Sequence, residues 1–147
     1  MQESIPPSAL ERVPTGSPLS PLPLASRVFL VLGSLGMAAA VVLGALGAHL
    51  LEARLTAPRL AVYEIALHYQ IIHSLGLLAI GLVTPRLSSR GCIRWAGGLM
   101  TAGIVVFCGS LYGLSLTGWP VLGRVTPFGG TAFILAWLLL ALAVLKS

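Results

Sequence analysis

Four long apolar stretches, separated by short polar segments, dominate the chain. They cover about residues 28–50, 58–83, 95–116 and 127–145. About 20 apolar residues in a helix cross the roughly 30 Å hydrocarbon core of a bilayer, and each stretch is about that long. The first stretch is uncharged from Val28 to Ala48. The pattern therefore predicts an all-α membrane protein in which residues 27–147 form a bundle of four transmembrane helices.

The first 26 residues lack this pattern. They show no apolar periodicity and hold six of the ten prolines, namely Pro6, Pro7, Pro14, Pro18, Pro21 and Pro23. This composition predicts a disordered proline-rich N-terminal tail. The apolar stretch after Arg27 is too long for the core of a signal peptide. Because Ala45-Leu46-Gly47 resembles a cleavage site, cleavage remains the alternative.

The second predicted helix carries a polar stripe. At about 100° per residue, one arc collects Tyr63, Ala66, Gln70, His73, Ser74 and Gly81. Polar groups at membrane depth are costly, so this arc should face protein and not lipid. Glu64 and His68 form an i, i+4 pair on a different face, nearer the membrane boundary.

Small residues indicate where helices approach closely. Helix 1 has a glycine-rich face and a second small face with Ser34, Ala38 and Ala45, which predicts packed neighbours on two sides. In helix 3, Gly109 and Gly113 have the spacing typical of close helix contacts. Contact within one chain explains that spacing as well as self-association or a membrane-protein partner does.

Composition and charge agree with a membrane protein. Hydrophobic residues make up 56% of the chain and charged residues 9%, against about 25% charged in soluble domains. The formal net charge is +5, but the basic residues stand singly between apolar runs. That arrangement is typical of membrane topology signals, so the expected partner is the lipid bilayer and nucleic acid is excluded.

The basic residues also predict an orientation. Six lie on the side that carries both termini (Arg12, Arg27, Arg86, Arg90, Arg94 and Lys146) and three on the other (Arg54, Arg59 and Arg124). By the positive-inside rule, both termini of this multi-pass protein should be cytoplasmic.

Helix order places most of the unusual side chains in one half of the bundle. The end of helix 1, the start of helix 2, the end of helix 3 and the start of helix 4 meet at one membrane surface. That half should hold the Thr126–Gly130 turn, which we expect to open helix 4, together with His49, Tyr63, Gln70, Ser110 and Tyr112. His73 should lie at its inner edge.

Four motifs in this half resemble one known family. They are LGALGAHLL, Y-x5-YQxxHSLGLL, GIVVFCGSLYGLSLTG and VTPFGGTAFILAW, in that order. Together they are similar to the YgdD-like inner-membrane family, catalogued as domain of unknown function 423, over about residues 28–145. Cys108 stands where that family often has serine, and the proline-rich tail lies outside the pattern.

The resemblance implies a four-helix protein of the bacterial inner (cytoplasmic) membrane and brings no established biochemical activity. It also implies a polar intramembrane cluster, carried over position by position to His49, Tyr69, Gln70, His73, Ser110, Tyr112, Thr126, Pro127, Gly129 and Gly130.

Three interpretations of His49 and His73 remain open. Each could hold neighbouring helices in register through a hydrogen bond, to Tyr112, Ser110 or a free carbonyl. They could instead line a proton-linked or small-solute site. As a third hypothesis they could ligate haem or a metal, although their predicted depths in the membrane differ.

Other chemistry is not indicated. The sequence shows no nucleophile–base–acid set, no phosphate loop and no zinc spacing, and Cys92 and Cys108 are interpreted as packing or loop residues. We therefore predict no enzyme activity, no cofactor and no metal. The leading hypothesis is a structural or partner-binding membrane protein, and the alternative is a small transporter or channel-like protein. A water-filled cavity reaching His73 would favour transport, whereas a dry hydrogen-bonded core would favour the structural role.

Overall fold

The computed structural model describes residues 21–147 and contains four long helices in that range. All four are long and apolar enough to cross a membrane: α1 (Leu24–Leu51), α2 (Ala57–Arg86), α3 (Arg90–Thr117) and α4 (Pro120–Leu145). The predicted all-α fold with four transmembrane helices is confirmed. Residues 1–20, most of the predicted disordered tail, lie outside the described residues.

Two helices begin earlier than the charge pattern predicts. α1 begins at Leu24, four residues before the expected start, and α3 begins at Arg90, five residues before it. Arg27 and Arg94 therefore lie inside helices, not in loops. Long arginine side chains can reach water from the first turns of a membrane helix, so a basic residue there does not end it.

The start of α4 differs most from the expectation. Gly118, with φ of +75°, ends α3, and Pro120 in the first turn begins α4 only two residues later. Pro127 and the Thr126–Gly130 segment consequently lie inside the helix and do not open it. Proline suits a first turn, but membrane helices also accept it internally, where hydroxyl side chains and neighbouring helices satisfy the freed backbone.

Two short π-helical segments interrupt the regular helices. Gly47–Leu51 forms the last turn of α1, and Ile104–Cys108 lies in the middle of α3. In the first, the Glu52 N–H donates to the Gly47 carbonyl at 3.1 Å, the i→i+5 bond of a π turn. Because of each segment, the residues that follow lie on a different face from the one predicted for a regular α-helix.

The helices pack as two pairs that meet through α2. α1 lies along α2, α3 lies along α4, and α2 also contacts α3. The larger apolar core lies at the end of the bundle where α1 begins and α4 ends, with Phe29, Leu77, Ile80, Ile93, Ala96, Met100, Ala136 and Ala143. α1 packs on one side only among the described residues, since Ser34, Ala38 and Ala45 are exposed. This differs from the neighbours on two sides that its small residues predict.

Candidate functional site

Gln70 joins three helices through its side-chain amide. Its Nε2 donates to the Gly36 carbonyl of α1 at 2.9 Å, and its Oε1 accepts from the Tyr112 hydroxyl of α3 at 3.0 Å. The Gln70 side chain is only 5% exposed. The polar arc predicted for α2 is therefore confirmed as a buried face, and Gln70 and Tyr112 share one hydrogen-bonded chain.

Tyr63 forms a second link at the same end. Its hydroxyl donates to the Leu43 carbonyl of α1 at 2.7 Å, and its ring centroid lies 4.9 Å from that of Tyr112. Gly47 lets this ring approach α1, because a Cβ there would lie 2.9 Å from the Tyr63 ring. Tyr63, Gln70 and Tyr112 thus connect α1, α2 and α3. We call these three side chains the polar network.

Ser110 and Thr126 connect α3 to α4. Their hydroxyl oxygens lie 2.9 Å apart, and each also lies within hydrogen-bond distance of a carbonyl of its own helix, so two hydroxyl protons serve three contacts. Helix order alone predicted that these two residues lie in the same half of the bundle. The Thr126 hydroxyl oxygen also lies 3.3 Å from the Leu122 carbonyl, one turn back on α4.

Gly129 and Gly130 differ in what surrounds them. A Cβ on Gly129 would lie 2.8 Å from the Phe107 Cα, inside the π-helical segment of α3, whereas one on Gly130 would make ordinary contact at 3.7 Å with the Phe107 ring. The paired glycines mark a close backbone approach at Gly129. Pro127 is exposed.

His73 lies in an aromatic stack. Its ring is parallel to that of Phe133, with centroids 3.4 Å apart, and Tyr69 and Trp137 lie at 5.6 and 6.1 Å. Its Nδ1–H donates to the Tyr69 carbonyl, one turn back on the same helix, at 2.7 Å. The expected hydrogen bond to Tyr112, to Ser110 or to a free carbonyl that would hold neighbouring helices in register is not observed for His73, because Nδ1 donates to a carbonyl of α2 itself. His73 instead holds α2 against α4 by stacking.

Of the ten residues in the predicted cluster, only Gln70 and Tyr112 belong to the polar network, and His49 and Tyr69 are exposed at the surface of the bundle. His49 is exposed in the π-helical turn at the end of α1, while the α1 groups that meet the network are the Gly36 and Leu43 carbonyls. Tyr69 is 40% exposed and contributes its carbonyl to His73 and its ring to Phe107, at 4.6 Å. Within residues 21–147, no group of three or more His, Cys, Asp or Glu side chains is placed to hold a metal ion.

Some contacts of the site were not predicted from the sequence. Phe133 and Trp137 have i, i+4 spacing on α4, a signal that could have identified the partner face of His73. Ser115 donates to the Arg59 carbonyl at 2.8 Å and ties α3 to α2 at the membrane boundary. No sequence signal identified the backbone acceptors, since every residue carries one.

Two buried polar groups have no hydrogen-bond partner within residues 21–147. One is the Ser74 hydroxyl, which lies against Gly36. The other is the Arg59 guanidinium, through its Nε and Nη2, beside Gly118. Apart from these, the buried polar side chains of the site are committed to bonds within or between helices.

A groove of about 520 Å³ opens between α1 and α3, above the polar network. Leu35 and Ala39 form its α1 wall, Val105 and Gly109 its α3 wall, and Gln70 and Tyr112 reach its floor. The Leu35 and Val105 side chains are 62% and 69% exposed. A Cβ on Gly109 would meet nothing within 4 Å. The groove is therefore an open, mostly apolar surface beside a hydrogen-bonded interior.

Comparison with known proteins finds a matching family model and similar membrane proteins. A family model described as "Protein of unknown function (DUF423)" matches residues 43–130. The UPF0382 membrane protein SERP0230 of Staphylococcus epidermidis is 48% identical over 120 residues, which cover 82% of this chain and 97% of the relative. The UPF0382 membrane protein YwdK of Bacillus subtilis is 43% identical over 120 residues, covering 82% of this chain and 98% of the relative. No solved structure matches the chain.

The matched range contains the three side chains of the polar network, whereas the Gly36 carbonyl that accepts from Gln70 lies before it. The range runs from Leu43, whose carbonyl accepts the Tyr63 hydrogen bond, to Gly130 in α4. It covers more than half of the chain, and the relatives are bacterial membrane proteins. The resemblance drawn from the four sequence motifs is confirmed: the chain belongs to the DUF423 family of membrane proteins.

Proposed function

We propose that this protein is a non-catalytic, structural membrane protein that binds a membrane partner through the groove between α1 and α3. The observation that carries the proposal is the chain of hydrogen bonds from Tyr112 through Gln70 to the Gly36 carbonyl. Through these bonds, the Gln70 and Tyr112 side chains hold three helices in one register.

Energetics support a structural use of these groups. In membranes, an interhelical hydrogen bond contributes about 0.6 kcal/mol on average and up to about 1.7 kcal/mol. Stranding a buried partner costs about 1–3 kcal/mol. A set of three such contacts is therefore enough to select one helix arrangement over alternatives that leave Gln70 or the two tyrosines unpaired.

The alternative, a proton-linked or small-solute transporter, required a wet path to His73. The imidazole is 5% exposed and stacked between aromatic rings, with Nδ1 bonded to its own helix. These contacts support a dry core and thus the structural role.

The α1–α3 groove supports the partner-binding part of the proposal. Small residues on a membrane helix let another helix approach closely, and Ala39 and Gly109 line the two walls. The occupant that fits this surface is a transmembrane helix of a membrane-protein partner, packed by van der Waals contact. A test must distinguish binding of such a partner from self-association of this chain.

Photo-crosslinking in native membranes tests the groove. Single cysteines replace Val105 in the groove and, as a matched control, Ile134, which is 63% exposed on α4. Both variants carry Cys92→Ala and Cys108→Ser, and a benzophenone–maleimide labels the new cysteine. We expect an adduct with another protein at 105 that is at least fivefold more abundant than at 134.

Equal adducts at both positions would overturn the groove as the docking surface. An adduct at position 105 with the mass of two copies of this chain would show that the groove serves self-association and not a different membrane protein.

We further propose that the protein lies in the bacterial inner membrane with both termini in the cytoplasm. Among the described residues, the end of the bundle that carries the C-terminus holds Arg27, Arg86, Arg90, Arg94 and Lys146. We call this the basic end. The opposite end has only Arg54, Arg59 and Arg124, so the positive-inside rule favours a cytoplasmic basic end.

A further inference from the structure

A second groove, of about 530 Å³, opens at the basic end. It lies between the first turns of α1 and α3 and the end of α2. Leu24 and Val28 form an exposed apolar wall, and Arg90 and Arg94 line the same groove one helical turn apart. None of the described residues that line it carries a carboxylate side chain. The polar network and the α1–α3 groove do not use any of these side chains.

Charge is distributed unequally between the two ends of the bundle. The two acidic residues within 21–147, Glu52 and Glu64, line a separate cavity at the opposite end. Neither of these two acidic side chains lies near the arginines of the basic end, and Arg86 donates to the Leu82 carbonyl at 3.2 Å. Arg90 and Arg94 are exposed and give the groove a positive potential.

The backbone adds to that potential. α1 and α3 both begin at this groove, and neither Pro23 nor Ser89 caps its helix with a side-chain hydrogen bond. First-turn N–H groups carry a partial positive charge that favours anions. Two helix starts therefore reinforce the two arginines.

Packing fixes the groove walls. The Ser26 hydroxyl donates to the Gly81 carbonyl and fastens the start of α1 to α2. Phe29 packs against Gly97 of α3, and the Thr84 hydroxyl donates to the Ile80 carbonyl at 2.6 Å. The groove is thus formed before any ligand arrives, which lowers the entropic cost of binding.

We propose that this groove binds one anionic phospholipid. The lipid phosphate lies between the Arg90 and Arg94 guanidinium groups, and an acyl chain runs along the exposed Leu24 and Val28 side chains. A phosphate bound to arginines and an apolar chain along an apolar wall are the two halves of a phospholipid, and the groove offers both at a membrane-helix terminus. A free phosphate would use only the basic half.

Native mass spectrometry of the full chain in detergent tests the site. The probes are phosphatidylglycerol and phosphatidylcholine with identical acyl chains. Each basic residue near an anionic surface strengthens the attraction about fivefold. We expect Arg90→Gln/Arg94→Gln to weaken phosphatidylglycerol binding roughly 25-fold and each single variant about fivefold, with phosphatidylcholine binding unchanged. The matched control Arg54→Gln/Arg124→Gln removes two exposed arginines of the opposite end and should change binding less than twofold.

Three results would overturn the proposal. The first is phosphatidylglycerol binding that Arg90→Gln/Arg94→Gln leaves intact or that the control pair weakens equally. The second is displacement of the lipid by equimolar inorganic phosphate, which would make this a free-anion site. The third is lipid binding that emerges only after deletion of residues 1–20, which would make the groove the docking place of that segment. The single variants keep the test valid if the double variant does not fold.

Discussion

Removing one hydroxyl group, in Tyr112→Phe, should destabilise the folded bundle measurably. The change keeps the ring against Tyr63 but leaves Gln70 Oε1 without its donor. Losing an interhelical hydrogen bond costs about 0.6–1.7 kcal/mol in membrane proteins, and an unpaired buried acceptor raises the cost. We therefore expect a loss of about 1–2 kcal/mol in the free energy of unfolding.

Tyr69→Phe is the matched control, because it removes the same hydroxyl from a tyrosine that is 40% exposed and keeps its stacked ring. We expect it to cost less than about 0.5 kcal/mol, as for most surface changes. Unfolding is followed by circular dichroism in mixed micelles of increasing sodium dodecyl sulfate content. A double-mutant cycle with Gln70→Leu should show a coupling of about 0.6–1.7 kcal/mol. Equal effects of the two Tyr→Phe changes, with full additivity in the cycle, would refute the reasoning.

Three further predictions concern the packing around the network and the orientation of the bundle. Gly129→Ala should destabilise the protein clearly more than Gly130→Ala in the same assay, because only the Gly129 Cβ would meet the Phe107 backbone; equal effects would contradict the close approach. His73→Leu should cost more than His68→Leu or His49→Leu, since only His73 is buried, and combining the His49 and His73 changes should be additive; strong coupling would instead place the two histidines in one site. A membrane-impermeant maleimide should label Ser88→Cys in a Cys92→Ala background only after permeabilisation of cells; rapid labelling of sealed cells would reverse the orientation.

The regular part of the site was predictable because α2 is long and uninterrupted. Tyr63, Gln70 and His73 fall on one arc at helical spacing, and all three are buried as expected. Helix order alone was enough to predict that Ser110 and Thr126 lie in the same half of the bundle, because consecutive membrane helices are antiparallel.

The rest depended on features that an ideal helical wheel does not contain. The π-helical turn Gly47–Leu51 leaves His49 on the exposed side of α1. Proline is compatible both with the start of a helix and with an internal position of a membrane helix. Contacts with neighbouring helices determine that Pro127 lies inside α4. The hydrogen bond from His73 to the Tyr69 carbonyl depends on the rotamer of the His73 side chain, which no residue pattern encodes.

The central claim is that the polar network holds α1, α2 and α3 in one register. Spin labels at Leu50 on α1 and Leu116 on α3, both exposed, report that register as a distance distribution by pulsed electron paramagnetic resonance. With Cys92→Ala and Cys108→Ser in the background, the account predicts a single narrow distribution. Adding Gln70→Leu and Tyr112→Phe should broaden or shift it by several ångströms. A distribution unchanged by loss of the network would contradict the account.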